Sequence, residues 1–451
     1  MYYKNTQHMF GTNIRFQSKD MPMDNNFKII EPDDRCYLII DLKSFFASVE
    51  CVDRGLDPMT TLLAVADKDR SKSTICLAIT PAMKALGIKN RCRIHEIPKH
   101  LDYIIATPRM KRYIDISADI YEIYLSYVSK EDIHVYSIDE SFLDVTHYLG
   151  LYGLSAHDLA LKIMNDIKEK LGLRATCGIG TNLYLAKVAL DILAKHSPDF
   201  IAELNEDTFK QRLWTHRPLT DFWRIGPGTQ RHLNSLGMYT QKDIAHFPEN
   251  ILYKQFGVNA EYIIDHAWGR ESCTMQDIKN YQSRSKSLSC GQVLMRDYNF
   301  DEALIIVKEM ADELSLDMTA AHVVSNNISL FIGYSAETFP PTGVSATLQV
   351  TTNSYRILMD AFVQLYTRSA MRDVPIRRIN VSANAVLDEC FEQYSFFVDP
   401  SVMEKDRKVL QSVNEIKDRY GKNSVIKGMD LYEAGTSIQR NVQIGGHKAG
   451  F

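Results

Sequence analysis

The stretch Val135-Tyr136-Ser137-Ile138-Asp139-Glu140-Ser141-Phe142-Leu143-Asp144-Val145 decides the reading of this chain. Apolar and polar residues alternate through it, the pattern of a half-buried strand. Two acids stand side by side at its centre. Successive side chains on a strand point to opposite faces, so Asp139 and Glu140 share a face only where the strand turns or bulges between them, as at a hairpin tip. Adjacent carboxylates repel, and a cation relieves the repulsion. Taken alone, the pair reads equally as an acidic turn between two strands.

A second stretch lies upstream, Cys36-Tyr37-Leu38-Ile39-Ile40-Asp41-Leu42-Lys43-Ser44-Phe45-Phe46-Ala47-Ser48-Val49-Glu50. Its apolar run reads as a buried central strand that ends at Asp41. Phe45, Phe46 and Val49 continue at helical spacing. An acid at the end of a buried strand, just before a helix, sits where open α/β sheets bind ligands. Asp41, Asp139 and Glu140, with a backbone carbonyl such as that of Leu42, offer an all-oxygen site for two hard divalent cations. Two metals roughly 3.5–4 Å apart are the machinery of in-line phosphoryl and nucleotidyl transfer.

The pair DLKSFFASVE and YSIDESFLDV resembles the Y-family translesion DNA polymerases, in their UmuC/ImpB/MucB-like branch. The resemblance implies an α/β multidomain, right-hand polymerase. The segments it implies are a polar leader (1–34), a palm (35–53 and 105–197), fingers (54–104), a thumb with a helix-hairpin-helix (198–279), a little finger (284–399) and a C-terminal tail (400–451). It implies error-prone, lesion-bypass synthesis on primer-template DNA from dNTPs, with a place in DNA repair or the SOS response. The cofactor would be two Mg²⁺ ions, or Mn²⁺, held by Asp41, Leu42, Asp139 and Glu140, with Asp41, Asp139 and Glu140 catalytic. Phe45 and Phe46 would lie at the nucleotide, Phe46 under the sugar where a ring blocks a 2′-hydroxyl. Lys84 and Lys187 would hold the triphosphate, each with a surface lysine as its plain alternative. Lys84 matches a usual Arg, so a point charge replaces a bidentate fork. Pro81 stands where many relatives carry Tyr, and Lys43 where several carry a second Asp.

Composition bounds the classes. The chain has 451 residues, 45% hydrophobic and 24% charged, enough for three or four soluble domains. No apolar run approaches membrane-spanning length. The eight cysteines are scattered with no CxxC pair, which predicts free thiols in a reducing cytoplasm. A formal net charge of −4 is unlike many nucleic-acid binders, although an acidic multidomain protein can still carry a basic groove.

In the fingers segment, Leu62–Ala66 and Ile75–Ile79 read as strands, and Thr80–Lys89 as a helix with Pro near its start. Ala78 and Thr80 are the small residues expected above the nascent base. An amphipathic helix is expected over 109–128, with Ile114, Ala118, Tyr121 and Leu125 on one stripe, and a second palm helix buries Leu159, Ile163 and Ile167. Cys177-Gly178-Ile179-Gly180 runs from strand into helix; its glycines are too few for a dinucleotide-binding loop.

In the thumb, Phe222-Trp223-Arg224-Ile225-Gly226-Pro227-Gly228 has the form of a helix-hairpin-helix, with Gly226 and Gly228 beside a DNA phosphate. An ordinary helix-helix turn is the alternative. The little finger alternates strand candidates (Leu288–Leu294, Asn327–Gly333, Ala346–Val350, Ile376–Val386) with helices Phe300–His322 and Tyr355–Ala370. Arg284, Lys286, Arg377 and Arg378 would face the duplex, and Asp301, Glu302, Asp312 and Glu313 would lie on outer helices. The tail opens with a charged helical stretch, Val402–Tyr420, and shows no glutamine-led clamp-binding peptide. RecA or a sliding clamp are the candidate protein partners, and no membrane is. Another palm-fold nucleotidyl enzyme, such as a cyclase, and a catalytically weak DNA-binding regulator are the competing readings.

Overall fold

The computed structural model describes residues 35–69, 74–283, 285–335, 339–391 and 400–450. The polar leader and Arg284 therefore lie outside the described residues. The chain forms two compact units, one ending at Tyr281 and one beginning at Gln282. Among the described residues no helix is long and apolar enough to cross a membrane, and all eight cysteines are free.

The first unit is built around β1 (Tyr37–Leu42), which is followed by α1 (Phe45–Val52). The fingers contribute β2 (Leu63–Val65), β3 (Ala78–Ile79), α2 (Pro81–Ala85) and β4 (Ile104–Ala106). Then come α3 (Met110–Leu125), β5 (Ile133–Val135), β6 (Glu140–Asp144), α4 (Tyr148–Tyr152), α5 (Ala156–Leu171), β7 (Ala175–Gly180), α6 (Leu183–Val188) and β8 (Ile201–Leu204). The palm sheet has the order β5–β6–β1–β7–β8.

β1 lies at the centre of this sheet, antiparallel to both β6 and β7. Its alternate residues bury both faces, which is why the sequence is an unbroken apolar run. Leu38, Ile40 and Leu42 join the core formed with α3 and α5. Tyr37 and Ile39 pack on the other face with Phe142, Leu183 and Ala186. Each such fully buried side chain contributes about 1.5–3 kcal/mol.

The fingers form a separate three-stranded sheet, β3–β2–β4. The strand expected over Ile75–Ile79 shortens to two residues, because Ile75 bridges Arg93 instead. The helix expected to Lys89 ends at Ala85, and Gly87 follows at φ 81°. Thr80 caps it, its Oγ1 accepting from Met83 N–H at 3.4 Å.

The rest of the first unit is helical: α7 (Glu206–Leu213), α8 (Pro227–Ser235), α9 (Gln241–Ala245), α10 (Glu249–Phe256), α11 (Ala260–Trp268) and α12 (Met275–Asn280). β8 lies within the stretch assigned to the thumb, yet it pairs parallel to β7 and closes the palm sheet. Tyr184, Leu185 and Val188 of α6 belong to the thumb core, so one helix serves both layers.

The second unit is a sheet of order β11–β10–β12–β9, formed by β9 (Leu288–Tyr298), β10 (Val323–Tyr334), β11 (Thr342–Thr352) and β12 (Ile376–Asn384). A short β13 (Leu387–Asp388) pairs with β10. Two helices, α13 (Phe300–Ala320) and α14 (Tyr355–Ser369), cover one face. Ile328, Leu330, Ile332, Ile379, Val381 and Ala383 point to those helices. The opposite face carries Asn327, Ser329, Ser382 and Asn384, as period-two alternation requires.

The tail is part of this unit. It contains α15 (Pro400–Tyr420), α16 (Ser437–Asn441) and a hairpin of β14 (Gln443–Ile444) and β15 (His447–Lys448) across Gly445 and Gly446, which sit at φ 59° and 80°. The Glu309 side chain is 1% exposed and accepts from Thr436 N–H and its hydroxyl, each at 3.0 Å. Asp312 pairs with Lys427 at 3.2 Å, and Glu313 pairs with Arg440. Asp312 and Glu313, expected on an outer helix, are thus paired with the tail.

Candidate active site

Register brings the first two carboxylates together. Asp41 on β1 lies directly opposite Glu140, the first residue of β6. Cross-strand partners share a face, with Cβ atoms about 4.5–5.5 Å apart. The third comes from the turn between β5 and β6: Asp139 O accepts from Leu42 N–H at 3.0 Å. The turn is the hairpin tip that two adjacent acids demand. On the other side of β1, Asp41 is opposite Thr176, whose Oγ1 donates to Asp41 O at 3.2 Å.

The three carboxylates differ in their surroundings. Burial, then Asp139 and Glu140, raise Asp41 to about 7, against the opposing pull of Lys195 and Lys187. Asp139 accepts from Ser137 Oγ at 2.7 Å. Burial also lifts Glu140 above the usual carboxylate range, although Lys187 Nζ lies 2.6 Å from its Oε1. That Oε1 is buried and receives no aligned hydrogen bond.

Among the described residues no three acidic, cysteine or histidine side chains close on one point. Asp139 is engaged by Ser137 and Glu140 by Lys187. The donor set still fits hard divalent cations. It is all oxygen, and the negative charge of one carboxyl, Asp41, is disfavoured by burial and by its two acidic neighbours, a strain that a cation relieves.

Lys187, expected on a triphosphate, is buried at 8% exposure between Glu140 and Asp191, the latter at 3.0 Å. Burial opposes its charge, but the two acids together hold its pKa above the usual lysine value. It arrives there because α6 presses on β7. A Cβ on Gly178 would lie 2.1 Å from Ala186 O, and one on Gly180 would lie 2.2 Å from Ala186 N. Only glycines allow that approach.

Lys195 is the cation that sequence reasoning missed. It pairs with Asp191 at 3.3 Å, and its charge acts on both Asp41 and Lys84. The signal was present: Lys187, Asp191 and Lys195 fall four residues apart, one helical stripe. Lys84 is exposed, and desolvation of its ammonium lowers its pKa while Asp41 opposes the shift. Lys43 lies 3.4 Å from the Phe200 ring centroid, a cation–π contact in place of a fourth carboxylate.

The two phenylalanines separate. Phe46 is part-buried, while Phe45, expected beside it at the nucleotide, is turned into the core at 2% exposure. Consecutive helical residues point about 100° apart, so Phe45 is wholly in the core while Phe46 packs on its margin and stays partly uncovered. Ser44, just before α1, takes a left-handed φ of 50°, rare for a non-glycine residue and typical of functional sites. Ala78 and Thr80, expected above the base, are buried within the fingers at 6% and 0% exposure.

The expected DNA contacts vary. Gly226 precedes α8, and Gly226, Pro227 and Gly228 are all exposed. Trp223 of the same hairpin donates from Nε1 to Tyr136 Oη at 3.1 Å, tying it to the acidic turn. In the second unit Lys286 and Arg378 are exposed, and Arg378 stacks over Phe331 at 5.4 Å. Arg377 is paired with Asp297 at 3.1 Å. The open sheet face is mostly neutral: Ser329 and Ser382 hydroxyls meet at 2.6 Å, and Asn384 Nδ2 donates to Asn327 Oδ1 at 2.8 Å.

Comparison with known proteins agrees with this geometry. Residues 40–191 match the impB/mucB/samB family, and residues 285–395 match its C-terminal domain. The chain is 31% identical over 420 residues to UvrX of Bacillus subtilis (strain 168), whose name assigns it provisionally to UV-damage repair; the match covers 91% of this chain and 97% of that protein. It is 28% identical over 419 residues to DNA polymerase IV 2 of the same strain, covering 92% and 99%. Among solved structures, a Dbh–Dpo4–Dbh chimaera of Y-family DNA polymerases superposes with a TM-score of 0.61 at 23% identity, over 78% of this chain and 99% of the chimaera. With the acidic turn, its partner strand and both family segments in order along one polypeptide, this chain belongs to the impB/mucB/samB family of Y-family DNA polymerases.

Proposed function

We propose that this DNA-directed DNA polymerase adds dNTPs to a primer 3′ end at Asp41, Asp139 and Glu140, and that it works as a distributive, error-prone enzyme of lesion bypass. The observation that carries the reading is the register of Asp41 against Glu140, with Asp139 on the adjoining turn. These carboxylates, with the Leu42 carbonyl, would hold the divalent cations on which the family depends, Mg²⁺ or Mn²⁺. When bound, such cations lower the pKa of the primer hydroxyl and offset charge at the α-phosphate and pyrophosphate.

The chain's own groups supply the rest. Lys84 and Lys195 flank the carboxylates and take the triphosphate tail. Lys187 holds Glu140 in place from α6. Phe46 lies under the sugar and excludes a 2′-hydroxyl. Backbone N–H groups at the start of α8 take a DNA phosphate, where the helix dipole favours an anion. The open face of the second sheet takes the duplex backbone through Arg378, Lys286 and neutral hydroxyl and amide groups.

The fingers support the low-fidelity reading. Their span of about fifty residues is near the smallest size of an independent domain. Little surface remains to close over a nascent base pair, and induced-fit selection depends on such closure. The decisive experiment is primer extension with single dNTPs on an undamaged template beside one carrying an abasic site. Misincorporation together with synthesis past the lesion supports the proposal. Accurate copying with a complete stop at the lesion rejects the bypass reading while leaving polymerase activity intact.

A further inference from the structure

The ring of Phe46 does not stand alone. Its centroid lies 4.8 Å from that of Tyr113 on α3, at an interplanar angle of 41°. Tyr113 is fully buried, at 0% exposure. Its hydroxyl donates to Glu50 Oε1 at 2.8 Å. Glu50, also 0% exposed, accepts from Arg109 Nε at 2.9 Å and pairs with Arg54.

The spacing turns these contacts into a two-rung ladder. Phe46 and Glu50 are four apart on α1, and Arg109 and Tyr113 are four apart where α3 begins, so each pair lies along one helix face. Ring meets ring on one rung, and carboxylate meets guanidinium and hydroxyl on the other. A buried carboxylate with three donors cannot shift without leaving a charge unpaired. The Tyr113 ring is thereby fixed on the side of Phe46 away from solvent.

We infer that Tyr113 is a positioning residue for sugar discrimination: it backs the Phe46 ring and sets how far that ring reaches toward the 2′ position. The inference rests on the reading of Phe46 as the sugar barrier. A ring with free space behind it can retreat, and a barrier that retreats rejects a hydroxyl weakly. Tyr113 itself does not touch the nucleotide, so its effect passes through Phe46.

The test measures kcat/KM for each rNTP and its dNTP in the wild type, Phe46→Ala, Tyr113→Leu, Tyr113→Phe and the double variant Phe46→Ala/Tyr113→Leu, with thermal melts to confirm folding. Tyr113→Leu should raise the rNTP/dNTP ratio by about tenfold, the scale of one aromatic contact, mainly through a lower KM for the rNTP. Tyr113→Phe keeps the ring but frees it from Glu50, and should raise the ratio by about threefold. The double variant should match Phe46→Ala, because no ring remains to support.

An unchanged ratio in folded Tyr113→Leu, beside a raised one in Phe46→Ala, overturns the inference and leaves the Phe46 barrier standing. A double variant whose ratio exceeds that of Phe46→Ala also overturns it, since Tyr113 would then act independently. If Tyr113→Leu does not fold, Tyr113→Phe decides, and a wild-type ratio there rejects the role. An unchanged ratio in Phe46→Ala removes the barrier reading itself, and this inference with it.

Discussion

The two sheets of this protein solve opposite problems. The palm sheet is covered on both faces, and its functional edge gathers Asp41, Glu140 and Lys187 among apolar side chains. The sheet of the second unit is covered by α13 and α14 on one face and left open on the other, where serines and asparagines form a neutral ladder. Buried charges are costly and hold their geometry only through specific partners, which suits a site that must aim at reacting atoms. An open polar face costs little and can meet phosphate backbones without reading sequence, which suits the duplex contact proposed for it. Fixed position belongs to the first sheet and tolerance to the second.

The sharpest way to break this contrast is at the acidic turn. Asp139→Asn should lower the rate of nucleotide addition by about 10³-fold or more while primer-template affinity stays near wild type. Single-turnover extension and a DNA-binding titration on the same preparation read both quantities. Wild-type addition would remove Asp139 from the site.

Glycine replacement compares the sheets in stability. Gly180→Ala puts a Cβ against the backbone of α6, so it should cost about 3 kcal/mol and displace Lys187. Gly343→Ala, on β11 of the open sheet, meets nothing within 4 Å and should stay within about 0.5 kcal/mol of wild type. Chemical denaturation of the two variants makes the comparison; equal losses would mean that the close approach of α6 is not what holds the palm.

Titration sharpens it further. Asp41 stands at about 7 because burial and its two acidic neighbours disfavour its charge, against an ordinary value of 3.8. Between those values the folded chain holds a proton that the unfolded chain has lost. Metal-free stability should therefore fall as pH rises across that window, by at most about 1.4 kcal/mol per unit, and level off above it. Thermal melts in chelator follow this slope. Asp41→Asn should flatten it, and an unaltered slope in that variant would assign the effect elsewhere.

The smallest effect belongs to the open face. Arg378→Ala should reduce DNA affinity a few-fold and lower the slope of log affinity against log salt by about one, one phosphate contact. Loss of the entire salt dependence would mean that Arg378 carries the whole ionic contact and that Lys286 adds none.

Much of the palm was legible because its signals are local. The apolar run Tyr37–Ile40 forms the central strand, and the adjacent acids Asp139 and Glu140 sit at a turn that starts β6. The helix carrying Ile163 also follows from its spacing, whereas α3 forms where expected but buries Tyr113, Ile116, Ile120 and Ile123 in place of the stripe Ile114, Ala118, Tyr121 and Leu125. Less of the cation chemistry was legible. Lys187 looks like a solvated lysine on an amphipathic stripe, and only the approach of α6 to β7 turns it onto Glu140. The attachment of the tail to the second unit was not legible for the same reason. Glu309 and Thr436 are far apart in sequence, and nothing local announces their bond.

The sequence by itself determined which residues could do chemistry: three carboxylates and an aromatic ring after a strand. Periodicity and residue type are properties of neighbours along the chain, so they survive in the linear text. Tertiary structure alone decided which charges meet. The pairings of Asp41 with Glu140, of Lys187 with Glu140 and of Tyr113 with Glu50 join residues separated by tens of positions. Their energies depend on burial and on ångström-scale distance, which exist only once the sheets have closed.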